Sequence, residues 1–195
     1  MKLNRITVFC GSSYGTEAIY EETAIELGKI LATENIGLVY GGANVGLMGS
    51  IADSVIKNNG TVIGVLPHFL KRKEIAHQHL SELILVDTMH QRKTKMNELS
   101  DGVIALPGGF GTLEELFEML TWAQLGLHQK PVALLNIDGF YNELLSFLKT
   151  MIEKGFLKQI YFDMIIVDND ISSLLKKMKN FKAPIVEKWI TKEQV

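Results

Sequence analysis

Short apolar runs bounded by turn residues alternate along the chain with longer stretches whose apolar residues recur at helical spacing. Residues 5–10, 37–40, 61–66, 83–86, 102–106, 132–136 and 164–167 read as strands. Between them the pattern predicts a long amphipathic helix ending near Thr33, then helices near 45–57 and 89–99. A further helix opens at Thr112, and others lie near 141–153 and 171–179. Pro67 to Ser81 is a polar, histidine-bearing connection. Apolar strands interleaved with helices predict an α/β fold, a Rossmann-like three-layer sandwich with a mostly parallel sheet covered on both faces. No repeat, low-complexity stretch or linker divides the 195 residues, so residues 1–195 read as one domain with ample core.

In such sheets ligands bind beyond the carboxyl ends of the strands. Each glycine cluster falls at such an end: Gly11-Ser12-Ser13 after the first strand, Gly41-Gly42-Ala43-Asn44-Val45-Gly46 after the second, Pro107-Gly108-Gly109-Phe110-Gly111-Thr112 after the fifth. The second cluster departs from a dinucleotide fingerprint in its glycine spacing, and no ribose-binding acid follows where one is expected. A mononucleotide-sized pocket fits better. Ser12 and Ser13 are placed either to bond a ligand or to cap the first helix.

The third cluster is the most informative. Pro107 ends a buried strand, Gly108, Gly109 and Gly111 let backbone approach a ligand, and Thr112 is suited to cap the following helix. Free N–H groups and a helix dipole aimed at one spot make an anion site, and phosphate is the expected guest. On the helix, Leu113, Leu116, Phe117 and Leu120 form the expected core stripe, with Glu115, Met119 and Trp122 on another face. That second face predicts a homodimer with these helices packed across a two-fold axis; cover by Pro184 to Ile190, with Trp189, is the alternative. In the helix over residues 89–99, Met89, Met96 and Leu99 form a stripe that includes Arg92, with Lys93 at its edge. A guanidinium among core residues either snorkels to the rim or meets an anion in the pocket, and the neighbouring glycine loop favours the pocket.

Composition narrows the function. A net charge of −2 and the lack of any basic block argue against nucleic acid as a partner. No apolar run is long enough to span a membrane. One cysteine, Cys10, and no leader pattern suggest a cytoplasmic protein without an internal disulfide. No metal-ligand spacing is evident: His68, His77, His79 and His90 read as solvated or structural, and Cys10 as a small core residue.

Met89-His90-Gln91-Arg92-Lys93 followed by Pro107-Gly-Gly-Phe-Gly-Thr-Leu-Glu-Glu115 resembles the paired motifs of the LOG family, the cytokinin riboside 5′-monophosphate phosphoribohydrolases. The likeness covers nearly the whole chain, including the Gly-Ser-Ser and Gly-Gly-x-x-x-Gly-Leu-Met-Gly turns, and Gln91 stands where the family commonly has Glu. It implies hydrolysis of the N-glycosidic bond of a nucleoside 5′-monophosphate, AMP included, to free base and ribose 5-phosphate. Arg92 and Glu115 would then be catalytic. Ser12, Gly42, Met89, Arg92, Lys93, Gly108, Gly109, Gly111, Thr112 and Glu115 would bind substrate, with no cofactor and no metal. The label "possible lysine decarboxylase", often attached to such proteins, is not supported, because nothing marks a lysine and a pyridinium partner for pyridoxal phosphate. A competing class is a non-catalytic nucleotide or molybdenum-cofactor carrier. It has no need of the Arg92 and Glu115 pair.

Overall fold

The computed structural model describes residues 1–71 and 76–184. Its centre is a seven-stranded parallel sheet built from β1 (Arg5–Phe9), β2 (Gly37–Tyr40), β3 (Val62–Pro67), β4 (Glu82–Val86), β5 (Gly102–Ala105), β6 (Val132–Leu135) and β7 (Ile165–Asp168). The strand order is β4-β3-β2-β1-β5-β6-β7. The chain therefore winds one way from β1 to β4 and the other way from β5 to β7. The switch point lies between β1 and β5, which pair from Ile6↔Gly102 to Phe9↔Ala105. Connections diverge above that seam and leave a crevice at its carboxyl end.

On one face lie α1 (Ala18–Thr33), α2 (Gly46–Lys57) and α8 (Ile171–Asn180), whose Leu27, Ile51 and Leu174 pack on Ile6, Leu38 and Ile104. Gly28 lets α1 approach α2 closely, since a Cβ there would stand 2.8 Å from the Ile51 carbonyl. On the other face are α4 (Met89–Leu99), α5 (Phe110–Gln124) and α6 (Asn142–Glu153), whose Met96, Met119 and Leu144 meet Phe9, Val39 and Val103. Leu144 is only partly buried; each of the others, fully buried, contributes about 1.5–3 kcal/mol relative to exposure. The short α3 (His68–Lys71), the 3-10 turn Ile137–Gly139 and α7 (Gln159–Phe162) had no signal in the periodicity, being too brief to show one.

Two expectations about α5 are corrected. The helix begins at Phe110 with Gly109 as its N-cap, so Thr112 is its third residue, not its cap. Glycine has no side chain to obstruct the entry, and the first turn forms earlier than a Thr-capped start would allow. The buried face is also rotated. It carries Thr112, Glu115, Leu116, Met119 and Ala123, while Leu113, Phe117 and Leu120 are only partly covered. Contact with α4 as well as with the sheet turns the helix so that Glu115 and Met119 face inward.

Candidate active site

The β1 and β5 connections are joined beyond the last paired strand residues. Leu106 N–H donates to the Phe9 carbonyl at 2.9 Å, and Gly11 N–H donates to the Pro107 carbonyl at 3.0 Å. Gly108 is pressed against the helix it precedes, since a Cβ there would lie 2.1 Å from Thr112 Oγ1. Among the described residues, nothing beyond the immediate backbone comes within 4 Å of where a Cβ would stand on Gly109 or Gly111, so the backbone of the first turn is open to a ligand. The initial N–H groups of α5 have no carbonyl partners within the helix and carry the positive end of its dipole. Beside them is a cleft of about 300 Å³, lined by Ser12, Ser13, Tyr14, Leu47, Gly108 and Gly109 among others.

Ser12 and Ser13 are exposed and do not cap α1, whose N-cap is Glu17 without a side-chain bond. Their loop is seated on Gly46, where a Cβ would come within 2.4 Å of Ser13 N. Backbone packing thus holds the loop, and both serines are left exposed.

Arg92 and Glu115 come together. Arg92 Nη1 donates to Glu115 Oε1 at 2.5 Å, and Nε donates to the Val65 carbonyl at 3.1 Å. Both residues are 7% exposed, so the guanidinium neither snorkels nor lies open in the cleft. Gly41, at the end of β2, forms the floor beneath the guanidinium: a Cβ there would stand 1.9 Å from Arg92 Nη2. The pair thus sits beside the carboxyl ends of β2 and β3, clamped between α4 and α5. Burial raises the Glu115 carboxyl above the usual range, Arg92 opposes that rise, and the neighbouring Glu114 adds to it. Burial also pushes the Cys10 thiol far up, reinforced by Glu115 and opposed by Arg92.

Lys93 is buried too, and its ammonium contacts Glu114 Oε1 and, at 3.1 Å, Glu118 Oε2. Burial alone would lower its pKa, but the two carboxylates outweigh this and hold it raised. Met89, the first residue of α4, is exposed rather than part of a core stripe. Gly42 adopts φ 78, and its carbonyl accepts from His77 N–H at 3.0 Å; it shapes the turn that presents Gly41. Gln91 completes a local cap of α4. Thr88 Oγ1 accepts from Gln91 N–H at 3.1 Å, and Gln91 Oε1 accepts from Asp87 N–H at 2.9 Å.

Sequence reasoning passed over Gly41, the Val65 carbonyl and the Glu114 and Glu118 partners of Lys93. For Gly41 the signal was its place directly after β2. For the acids it was their i, i+4 spacing opposite a cation. Of the histidines, His77 is buried and bonded to Asp53 at 2.9 Å, whereas His68 and His90 are exposed. Among the described residues, no group of three or more His, Cys, Asp and Glu is placed to hold a metal ion, and no helix is long and apolar enough to cross a membrane. The expected outward pairing of Met119 with Trp122 is corrected: Met119 is wholly buried in the core, and Trp122 is half-buried against it with the His90 ring 6.3 Å away. Of the segment weighed as a cover for Trp122, residues 185–190, Trp189 among them, lie outside the described residues.

Residues 48–178 match a family described as "Possible lysine decarboxylase". Over 192 residues the chain is 48% identical to the cytokinin riboside 5′-monophosphate phosphoribohydrolase LOG1 of Arabidopsis thaliana, covering 98% of this chain and 90% of that one. It is also 48% identical over 191 residues to the probable cytokinin riboside 5′-monophosphate phosphoribohydrolase LOGL2 of Oryza sativa, covering 98% and 78%. Among solved structures, the molybdenum cofactor binding protein of Rippkaea orientalis superposes with a TM-score of 0.69 at 26% identity, covering 92% of this chain and 98% of that one. The molybdenum cofactor carrier protein of Chlamydomonas reinhardtii superposes with a TM-score of 0.69 at 22% identity over 92% and 98%, which shows a shared fold.

Proposed function

The chain belongs to the LOG family of cytokinin riboside 5′-monophosphate phosphoribohydrolases, and we propose that it hydrolyses the N-glycosidic bond of purine nucleoside 5′-monophosphates, cytokinin ribotides and AMP among them. The 5′-phosphate would lie on the N–H groups around Gly108, Gly109, Gly111 and Thr112, with Ser12 beside it. Water adds across the C1′–N9 bond: its oxygen goes to C1′ and a proton to the base, giving free purine and ribose 5-phosphate. As the base departs the sugar becomes oxocarbenium-like. Glu115 is suited to stabilise that cation and to orient the water, and Arg92 to stabilise the charge gathering on the purine. Aligned charges in a site that excludes water are worth far more than in solution.

The observation that carries this reading is the buried Arg92–Glu115 pair, on the α4–α5 seam one turn beyond an open glycine loop. A decarboxylase reading is not favoured. Lys93 is held charged by two carboxylates and so lacks the free amine that a Schiff base requires. The protein would work as a cytoplasmic homodimer. Phe110, 94% exposed at the tip of the glycine loop, and half-buried Trp122 supply apolar surface on the α5 side of the molecule. The test is release of adenine from AMP and of N6-isopentenyladenine from its ribotide, followed by chromatography. Base release that depends on Glu115 supports the proposal; binding of both nucleotides without any release would assign the chain to the carriers instead.

A further inference from the structure

Two consecutive cations on α4, Arg92 and Lys93, face three carboxylates on α5, Glu114, Glu115 and Glu118. Arg92 takes the middle carboxylate and Lys93 the two that flank it. Glu114 and Glu118 are one helical turn apart, so their charges repel along the face next to Glu115. Glu118 Oε2 is buried, and among the described residues the Lys93 ammonium at 3.1 Å is the charge that compensates it. Lys93 is itself buried between the two helices, with its charge directed at these acids.

We propose that Lys93 is a positioning residue for the Arg92–Glu115 pair: by binding Glu114 and Glu118 it fixes the rotation of α5 and neutralises the two charges that flank Glu115. This rests on the reading of Glu115 as the working carboxylate, and it differs from the substrate contact that family resemblance implies for Lys93. The groups facing Glu115 are Arg92 and Lys93 from α4, Glu114 and one turn on Glu118 from its own helix, and the Cys10 thiol just beyond β1. Without Lys93, two uncompensated negative charges remain beside Glu115 and favour its protonated form. The same loss frees α5 to turn, which misplaces the carboxylate.

The experiment uses Lys93→Met, Lys93→Arg and the triple variant Lys93→Met/Glu114→Gln/Glu118→Gln. Titration of the Glu115 carboxyl is followed by carbon-13 NMR of glutamate-labelled protein, the resonance being assigned by its loss in Glu115→Gln. In Lys93→Met the Glu115 midpoint should move to higher pH. kcat should fall by on the order of tenfold to a hundredfold, the usual effect of misplacing a reacting group by about an ångström, with KM for the nucleotide little changed. Lys93→Arg should restore most of the rate, and the triple variant should return the midpoint toward the parent value. An unmoved midpoint in Lys93→Met overturns the proposal. So does a raised KM at unchanged kcat, which marks a substrate contact. Should Lys93→Met fail to fold, Glu114→Gln/Glu118→Gln with Lys93 intact decides: its Glu115 midpoint must fall below the parent's. The titration needs no turnover, so failure of this proposal is separate from failure of the phosphoribohydrolase reading.

Discussion

Gly41→Ala tests the site through a single methyl group. Gly41 does not have a positive φ, so alanine meets no backbone penalty there. The new Cβ would instead stand 1.9 Å from Arg92 Nη2 and 2.6 Å from Met48 Cε. The methionine methyl can rotate away, but the guanidinium is held on two sides, by Val65 at 3.1 Å and Glu115 at 2.5 Å. Ordinary contact requires a separation of about 3.5 Å, so Arg92 must withdraw by roughly 1.6 Å. That displacement takes both bonds beyond hydrogen-bond reach. Breaking a buried ion pair costs about 3–5 kcal/mol when one partner is removed outright, and displacement should cost somewhat less.

The expected loss in kcat/KM is about a hundredfold or more, since a misplacement of about 1 Å already has that effect. Kinetics of base release with Gly41→Ala, Arg92→Ala and the double variant form the assay, with urea unfolding alongside. In the Arg92→Ala background the added methyl should change stability by less than about 0.5 kcal/mol, because the group it collides with is gone. Parent-level activity in Gly41→Ala would refute the placement of Arg92 over this backbone. An equal cost with and without Arg92 would show that the methyl acts on the fold rather than on the guanidinium.

Glu115→Gln should keep the fold and nucleotide binding but lose roughly a hundredfold or more in turnover, and near-parent base release would remove Glu115 from the mechanism. His128 is buried, donates to the Met119 carbonyl at 2.9 Å, and burial lowers its pKa to about 4. Unfolding lets it protonate near its ordinary pKa, so stability is full above about pH 6.5 and falls by roughly 3 kcal/mol toward pH 4; His128→Gln should flatten that slope in urea melts, and parallel slopes would disprove the assignment. Thr88→Ala should destabilise the protein by about 1 kcal/mol through loss of the α4 cap, and an unchanged urea midpoint would contradict it. Trp122→Glu should give monomers by light scattering, whereas a parent protein already monomeric at micromolar concentration would end the dimer proposal.

The fold was legible because a parallel sheet buried on both faces makes its strands nearly continuous apolar runs. All seven were locatable, with ends shifted by at most one residue, as at β3, where Pro67 still pairs with Val86. The glycine loops were legible for a similar reason: a backbone that must approach a ligand leaves glycine in the sequence. Thr112 misled because N-cap preference favours threonine, and nothing local reveals that Gly109 takes the cap three residues earlier. Met119 misled because a helical wheel assumes one buried face, whereas α5 is covered by both the sheet and α4. Arg92 was conspicuous as a charge in an apolar stripe. Its floor at Gly41 was not, since that contact joins residues far apart in the chain and is set by tertiary packing alone.

The α4–α5 seam bears on whether this protein is a carrier or a catalyst. Binding a phosphate needs only the backbone N–H groups and dipole at the start of α5, all of which Gly108 to Thr112 supply without a charged side chain. Two packed helices do not need ions between them either, because apolar residues of similar volume usually hold such a contact equally well or better. Arg92, Lys93, Glu114, Glu115 and Glu118 are nonetheless arranged as matched charges along this contact, three of them largely withdrawn from water. Neither anion binding nor helix packing accounts for that arrangement. A reaction whose transition state places positive charge on a sugar and negative charge on a departing base does, because it needs an anion and a cation oriented before substrate arrives.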